Sequence, residues 1–304
     1  GGMHEMDEID ETNEMKNKKN IRGILLVALS AASFGFIPVF AKIAYSAGTS
    51  TYTLLFLRFL VATVFMFVFL LVKKLPLPTK KEMLIFFLLG AIGYAGESFC
   101  YFTALNYASS STVALLFYTY PALVMLGSAA VFKEKITIKK AISLCLALVG
   151  AFVIIGTKFS ASVIGIILAL LSAVFYSVYI LISSKVVKED HGIQSSAFII
   201  LGAMVVYGIF SIFVGFEPPT QLKGLIAVIL IAIVSTVVAF WALFTGMEIT
   251  GPSVASLVST LEPVVTVISS VIILSEALTV NLIIGGLLVV GSLVVTMLPN
   301  KTQI

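Results

Sequence analysis

SLVSTLEPVVTVISSVIILSEALT, residues 256–279, is an apolar run long enough to cross a bilayer, yet Glu262 sits near its middle with Pro263 directly after it. A carboxylate at membrane depth is costly and marks a functional position by default. An earlier stretch, STVALLFYTYPALVMLGSAAVFKEKIT at 111–137, repeats the pattern. Pro121 matches Pro263 at an offset of 142, Glu134 matches Glu276 at the same offset, and each acid follows its proline by thirteen positions. The chain therefore reads as a duplication. Its copies differ before the proline, with Tyr120 in the first and Glu262 in the second.

Of the 304 residues, 60% are hydrophobic and 11% charged, with a mean hydropathy of +1.13. Soluble domains carry about 25% charged residues, so this is one all-α integral membrane unit. Ten spans of the length a bilayer requires are expected near 23–45, 50–72, 83–105, 109–132, 138–156, 162–184, 194–215, 223–245, 251–274 and 279–298. The runs are continuous rather than alternating, which selects helices over a barrel. Residues 1–21 are expected to form a disordered cytoplasmic tail, in which Gly1 and Gly2 before Met3 look vector-derived. Cys100 and Cys145 lie in apolar runs and read as small hydrophobes. No basic-aromatic cluster points to nucleic acid.

With the N-terminus inside, fifteen of the nineteen Lys and Arg fall on the cytoplasmic side, against Lys158 and Lys223 outside and Lys42 and Arg58 within spans. This bias predicts both termini cytoplasmic. Five spans per copy is odd, so the second copy (162–298) must insert upside down relative to the first (22–156). Inverted repeats of this kind build transporters around a midplane site. Gly90, Gly93 and Gly96 in the third span, and Gly285 and Gly286 in the tenth, suit close helix packing.

SFGFIPVFAK at 33–42, LRF at 57–59, ALNYASSSTVALLFYTYPALV at 104–124, FKEKIT at 132–137, LEPVV at 261–265 and SEALTVNLIIGGLLVVGSLVV at 275–295, in this order, resemble the EamA-type transporters of the drug/metabolite transporter superfamily. The resemblance runs from about Arg22 to Met297 and implies a secondary transporter, typically an exporter of amino acids, other metabolites or drugs. It carries no substrate. A Phe34-Gly35 pair replaces the tryptophan that often follows the first-span serine.

Glu262 heads the candidate residues, with Ser259, Thr266 and Ser269 on its helical face. It reads as a cavity acid for a cation, an amine or a proton, or else as a structural acid bonded to a neighbouring helix. Glu97 lies between Tyr94 and Tyr101, a setting that suits an amine or organic cation through charge and cation–π attraction. Tyr118, Tyr120, Tyr176, Tyr179 and Trp241 are candidate pocket aromatics. Pro38, Pro121 and Pro263 are candidate hinges or gates, because each removes a backbone hydrogen bond. Arg58 is expected to pair structurally, and Lys42 to snorkel. Glu134 and Glu276 read as capping or gating residues on opposite membrane faces.

No span holds paired aspartates, a nucleophile with a base, or a metal-ligand cluster, so the expectation is not an enzyme, with no cofactor and no metal. The halves differ at Tyr120 and Glu262, which suits a single pocket better than a channel. Desolvation disfavours the charged form of a carboxylate, so two deep acids allow proton coupling. The expected partners are a small-molecule substrate and the lipid bilayer. A uniporter or exchanger for a neutral metabolite is the alternative. The expected home is the plasma membrane of a bacterium or archaeon, since no organellar targeting segment precedes the first span.

Overall fold

The computed structural model describes residues 2–133, 135–155, 162–186, 192–250, 258–259 and 261–297, and no strand occurs among them. Glu134, Lys158, Lys188, Asp190, His191 and residues 251–257 lie outside the described residues. Helix α1 (Gly2–Gly35) is followed, after a break at Phe36, by α2 (Ile37–Ser46), which carries Pro38 in its first turn. The sequence predicts a disordered tail through residue 21, but α1 extends back to Gly2. The tail is rich in Glu, Met and Lys, which favour helix, and Glu14 stands four residues before Lys18, a favourable spacing.

Helix α3 (Thr51–Lys73) starts at Ser50, whose hydroxyl accepts from the Thr53 N–H at 3.3 Å. Helix α4 (Lys80–Leu88) starts at a reciprocal Thr79–Glu82 cap, so the third span begins three residues earlier than its hydropathy predicts. A π-helical segment, Leu89–Tyr94, then leads into α5 (Ala95–Ala104). The fourth span is divided into α6 (Ser110–Phe117) and α7 (Tyr120–Phe132), with Pro121 at the start of the second piece. Helices α8 (Ile138–Ile155), α9 (Val163–Val186) and α10 (Gly192–Val214) follow. Helix α11 (Leu222–Ala232) meets α12 (Ala239–Thr250) through a second π-helical segment, Ile233–Val238. Helices α13 (Leu261–Leu274) and α14 (Val280–Met297) complete the described order.

Seven helical stretches among the described residues are long and apolar enough to cross a membrane, and α8, α13 and α14 are further apolar helices. Large apolar side chains such as Phe213, 84% exposed, cover the outside of the bundle. That is the surface a multi-pass membrane protein presents to lipid.

Backbones meet at glycines. A Cβ on Gly285 would stand 2.7 Å from the Gly150 carbonyl oxygen, and one on Gly150 would stand 2.8 Å from that of Gly285, so α14 and α8 touch main chain to main chain. The same holds for Gly90 against Ile199 and Gly202 against Phe87, which bring α10 onto the π-helical segment and α4. A Cβ on Gly246 of α12 would stand 2.9 Å from the Gly23 carbonyl oxygen of α1. Between apolar helices in lipid, such close approach substitutes dispersion for the missing hydrophobic drive.

The connections opposite the N-terminus are stitched together. The Thr220 N–H and hydroxyl both donate to the Ala47 carbonyl, the Ser162 N–H donates to Tyr107, and the Glu217 N–H donates to the Thr53 hydroxyl at 2.9 Å.

Gly285→Leu should drive α14 off α8 at a cost of about 1–3 kcal/mol, the usual range for overpacking. The melting temperature of the detergent-solubilised protein should fall clearly, while Gly291→Ala, with nothing within 4 Å of its new Cβ, should leave it unchanged.

Candidate functional site

Two helix breaks and the start of α13 border one cavity. Proline has no N–H to give the carbonyl four residues earlier. For Pro38, Pro121 and Pro263 those carbonyls belong to Phe34, Phe117 and Ser259, and all three residues line one cavity of about 240 Å³. The three candidate hinge prolines thus follow, by four positions, three residues of one cavity wall. The first break is also tied to α13. The Thr266 hydroxyl donates to the Gly35 carbonyl at 2.7 Å, and a Cβ on Gly35 would meet the Glu262 carbonyl oxygen at 2.8 Å.

The expected acids both line this cavity. Glu97 lies in the first turn of α5, directly after the π-helical segment, and is 8% exposed. Its carboxylate accepts from the Ser98 hydroxyl of its own helix at 2.9 Å. Glu262 lies in the first turn of α13, with Tyr118 of the fourth span near its carboxylate. Tyr94, Tyr101, Tyr176 and Ser259 line the same space. Tyr179 stands behind them, its ring 5.6 Å from those of both Tyr94 and Tyr176. Tyr120 closes the belt with its centroid 4.7 Å from that of Tyr176.

The geometry adds residues that the sequence did not single out for this site. Phe34 and Phe240 meet edge to face at 5.4 Å on one wall. Phe117 meets Tyr101 at 5.2 Å on another. The available signal for Phe34 and Phe117 was their place four residues before a proline. Arg58, expected to be paired in the structure, instead lines the cavity, and among the described residues it forms no ion pair within 4.0 Å. Trp241, expected in the pocket, lies outside it and is 45% exposed on a side crevice with Arg22, Phe69, Lys73 and Glu248. It points away because Phe240, its neighbour in α12, takes the inward face. Among the described residues no three His, Cys, Asp or Glu side chains gather as a metal site.

The profile of the EamA-like transporter family matches residues 21–156 and again 163–298. The chain belongs to this family. The uncharacterized transporter YcbK of Bacillus subtilis (strain 168) is 26% identical over 268 residues, covering 81% of this chain and 83% of that protein. The uncharacterized transporter YdfC of the same strain is 25% identical over 258 residues, covering 83% and 84%. A crystal structure 19% identical in sequence superposes with a TM-score of 0.63 over 90% of this chain and 96% of the other, which shows the shared fold. This is a multi-pass membrane transporter.

Away from the cavity, Glu276 joins the stitched end of this family member. Its carboxylate accepts from the Ser110 and Ser111 N–H groups at 2.7 and 3.2 Å and from the Ser111 hydroxyl at 2.9 Å, with Lys42 Nζ at 4.0 Å. Those N–H groups open α6 and have no partner within the helix. An anion there also meets the positive end of the helix dipole. Lys42 thus turns toward an acid, where snorkelling to the surface was expected. Glu276→Ala should cost about 1–2 kcal/mol, as loss of a helix cap does. Hydrogen exchange should then speed up at the Ser110 and Ser111 amides, and the melting temperature should fall.

Proposed function

We propose that the chain is a secondary active transporter that exports small amine-bearing metabolites by alternating access around the central cavity. In this reading α8, α13 and α14 complete a ten-span bundle of two inverted five-helix halves, with both termini cytoplasmic in the plasma membrane. The carrying observation is that two carboxylates, Glu97 and Glu262, share one small aromatic cavity. Aromatic faces and carboxylates together favour an ammonium group, and the freed carbonyls beside Phe34, Phe117 and Ser259 add acceptors for its protons.

The two acids divide the work. Glu262 lies beside Tyr118, and in this reading its first duty is to position α13 against the fourth span. Glu97 engages only its sequence neighbour among the described residues, which leaves its carboxylate for a ligand or a proton. A proton and an ammonium group then compete for the same oxygens. Export of the amine is thereby linked to entry of a proton. Moving the cavity between the two membrane faces is the task of the half-helices at Phe36 and at Tyr118–Thr119, the points where the main chain is already interrupted.

In proteoliposomes, an imposed proton gradient should drive uptake or release of cationic and zwitterionic amines. Binding should weaken as the pH is lowered, because protonation removes the charge that the ammonium seeks. Glu97→Gln should abolish the proton dependence, and Glu262→Gln should chiefly lower stability. Full proton-driven transport by Glu97→Gln would sink the coupling assignment.

A further inference from the structure

A second opening, of about 310 Å³, lies on the flank of the bundle between α3 and α12. Helix α3 packs on α11 and the π-helical segment after it, while α12 packs on α1. Phe65, Phe69 and Lys73 of α3 line the crevice from one side, Trp241 and Glu248 of α12 from the other, and Arg22 of α1 joins them. The lining is graded. Lys73 is the last residue of α3, Glu248 stands two residues from the end of α12, and Arg22 precedes the first apolar run. All three are exposed, and among the described residues none of them makes an ion pair within 4.0 Å. Phe65 lies eight residues back along α3 and Trp241 seven back along α12, about 10–12 Å deeper at 1.5 Å per residue. Lys73 Nζ stands 6.0 Å from the centroid of the Phe69 ring. Trp241 is 45% exposed, and it is the single tryptophan of the chain.

Charges at the rim with rings beneath follow the order of a phospholipid, whose phosphate sits at the membrane surface and whose acyl chains run below it. Basic pockets between helices at the cytoplasmic face are the kind of site that takes anionic head groups. Tryptophan suits the same boundary, because its ring is apolar and its N–H polar. Two bases against one acid leave the crevice with one positive charge, which the single negative charge of phosphatidylglycerol balances. Phosphatidylcholine brings its own cation and leaves that excess in place. We infer that the crevice is a binding site for one anionic phospholipid, with its phosphate at Arg22 and Lys73, its head-group hydroxyls toward Glu248 and an acyl chain along Phe65 and Trp241. A water-soluble phosphate would use the rim alone and leave the rings bare. In the orientation proposed above, the rim lies in the cytoplasmic leaflet, where anionic lipids give the surface its negative potential. The central cavity and its cargo play no part in this site.

The lone tryptophan makes the site readable in the whole protein. The purified full-length chain is reconstituted in phosphatidylcholine vesicles that hold a minor fraction of either phosphatidylglycerol or phosphatidylcholine with brominated acyl chains. Bromine quenches a tryptophan that it touches, so all quenching reports on Trp241. Both leaflets carry the brominated lipid, and the orientation of the protein does not enter. Brominated phosphatidylglycerol should occupy the site about 5–30-fold more strongly than brominated phosphatidylcholine, the range that one or two bases at the membrane surface give. The double variant Arg22→Gln, Lys73→Gln should bring the two lipids to parity. Lys74→Gln, next along the chain but outside the crevice, should leave the preference unchanged. Equal quenching by the two lipids in the wild type would overturn the site, whether or not the double variant folds. A loss on Lys74→Gln as large as that on Lys73→Gln would overturn it too, as the mark of diffuse attraction to a basic surface. Relief of quenching by soluble glycerophosphoglycerol, at the concentration where the intact lipid competes, would assign the rim to a free anion and overturn the lipid. Each of these outcomes leaves amine transport through the central cavity to be decided separately by proton-driven flux.

Discussion

Arg58, Glu97 and Glu262 are charged groups enclosed in a protein whose outer surface is hydrocarbon-like, and the expense of keeping them there shapes everything around them. Taking an ion out of water costs several kcal/mol even after relaxation, at roughly the order that decides whether a domain folds. The response is a polar interior made from interrupted backbone. Pro38 and Pro121 stand just past two of the interruptions, and the Ser98 hydroxyl donates to Glu97. Tyrosines supply the rest of the lining, apolar on their faces and polar at their tips.

The bundle separates parts that pack from parts that break. Glycine seams join α8 to α14 and α1 to α12 along uninterrupted backbone, with glycines meeting from both sides. The interruptions lie elsewhere, at Phe36, at Tyr118–Thr119 and in the two π-helical segments. Each π-helical segment sits just before cavity residues, Glu97 after Leu89–Tyr94 and Phe240 after Ile233–Val238. A wide turn shifts the face that follows it, and such turns recur at functional sites. The Tyr207 hydroxyl of α10 supports the first of them by donating to the Ala95 carbonyl.

Much of this was legible in the sequence, for physical reasons. Hydropathy marks the spans because lipid tolerates nothing else at that length. Prolines mark the broken helices because the missing N–H is a covalent fact. Glu97 and Glu262 stood out because carboxylates are rare at depth. What failed to show was direction around the helix axis. In α3 nearly every position is apolar, so no periodicity tells that Arg58 faces the cavity. In α12 the pair Phe240-Trp241 could have presented either ring inward. LGAIGY at 89–94 reads as ordinary helix, because a π-helical turn is imposed by packing on α10 rather than by propensity. Glu276 could be placed at a helix end, but its partners Ser110 and Ser111 lie 166 and 165 residues away.

The rings of α12 form a wall with two sides. Phe240 lines the central cavity and Phe244 the side crevice, and the two stack with centroids 5.9 Å apart. The pair contributes to the walls of a 240 Å³ chamber and a 310 Å³ one. Side-chain rotation is far faster and cheaper than the movement of whole helices. The two chambers therefore share an aromatic pair in α12, and a turn of either ring reshapes a wall with every helix left where it stands.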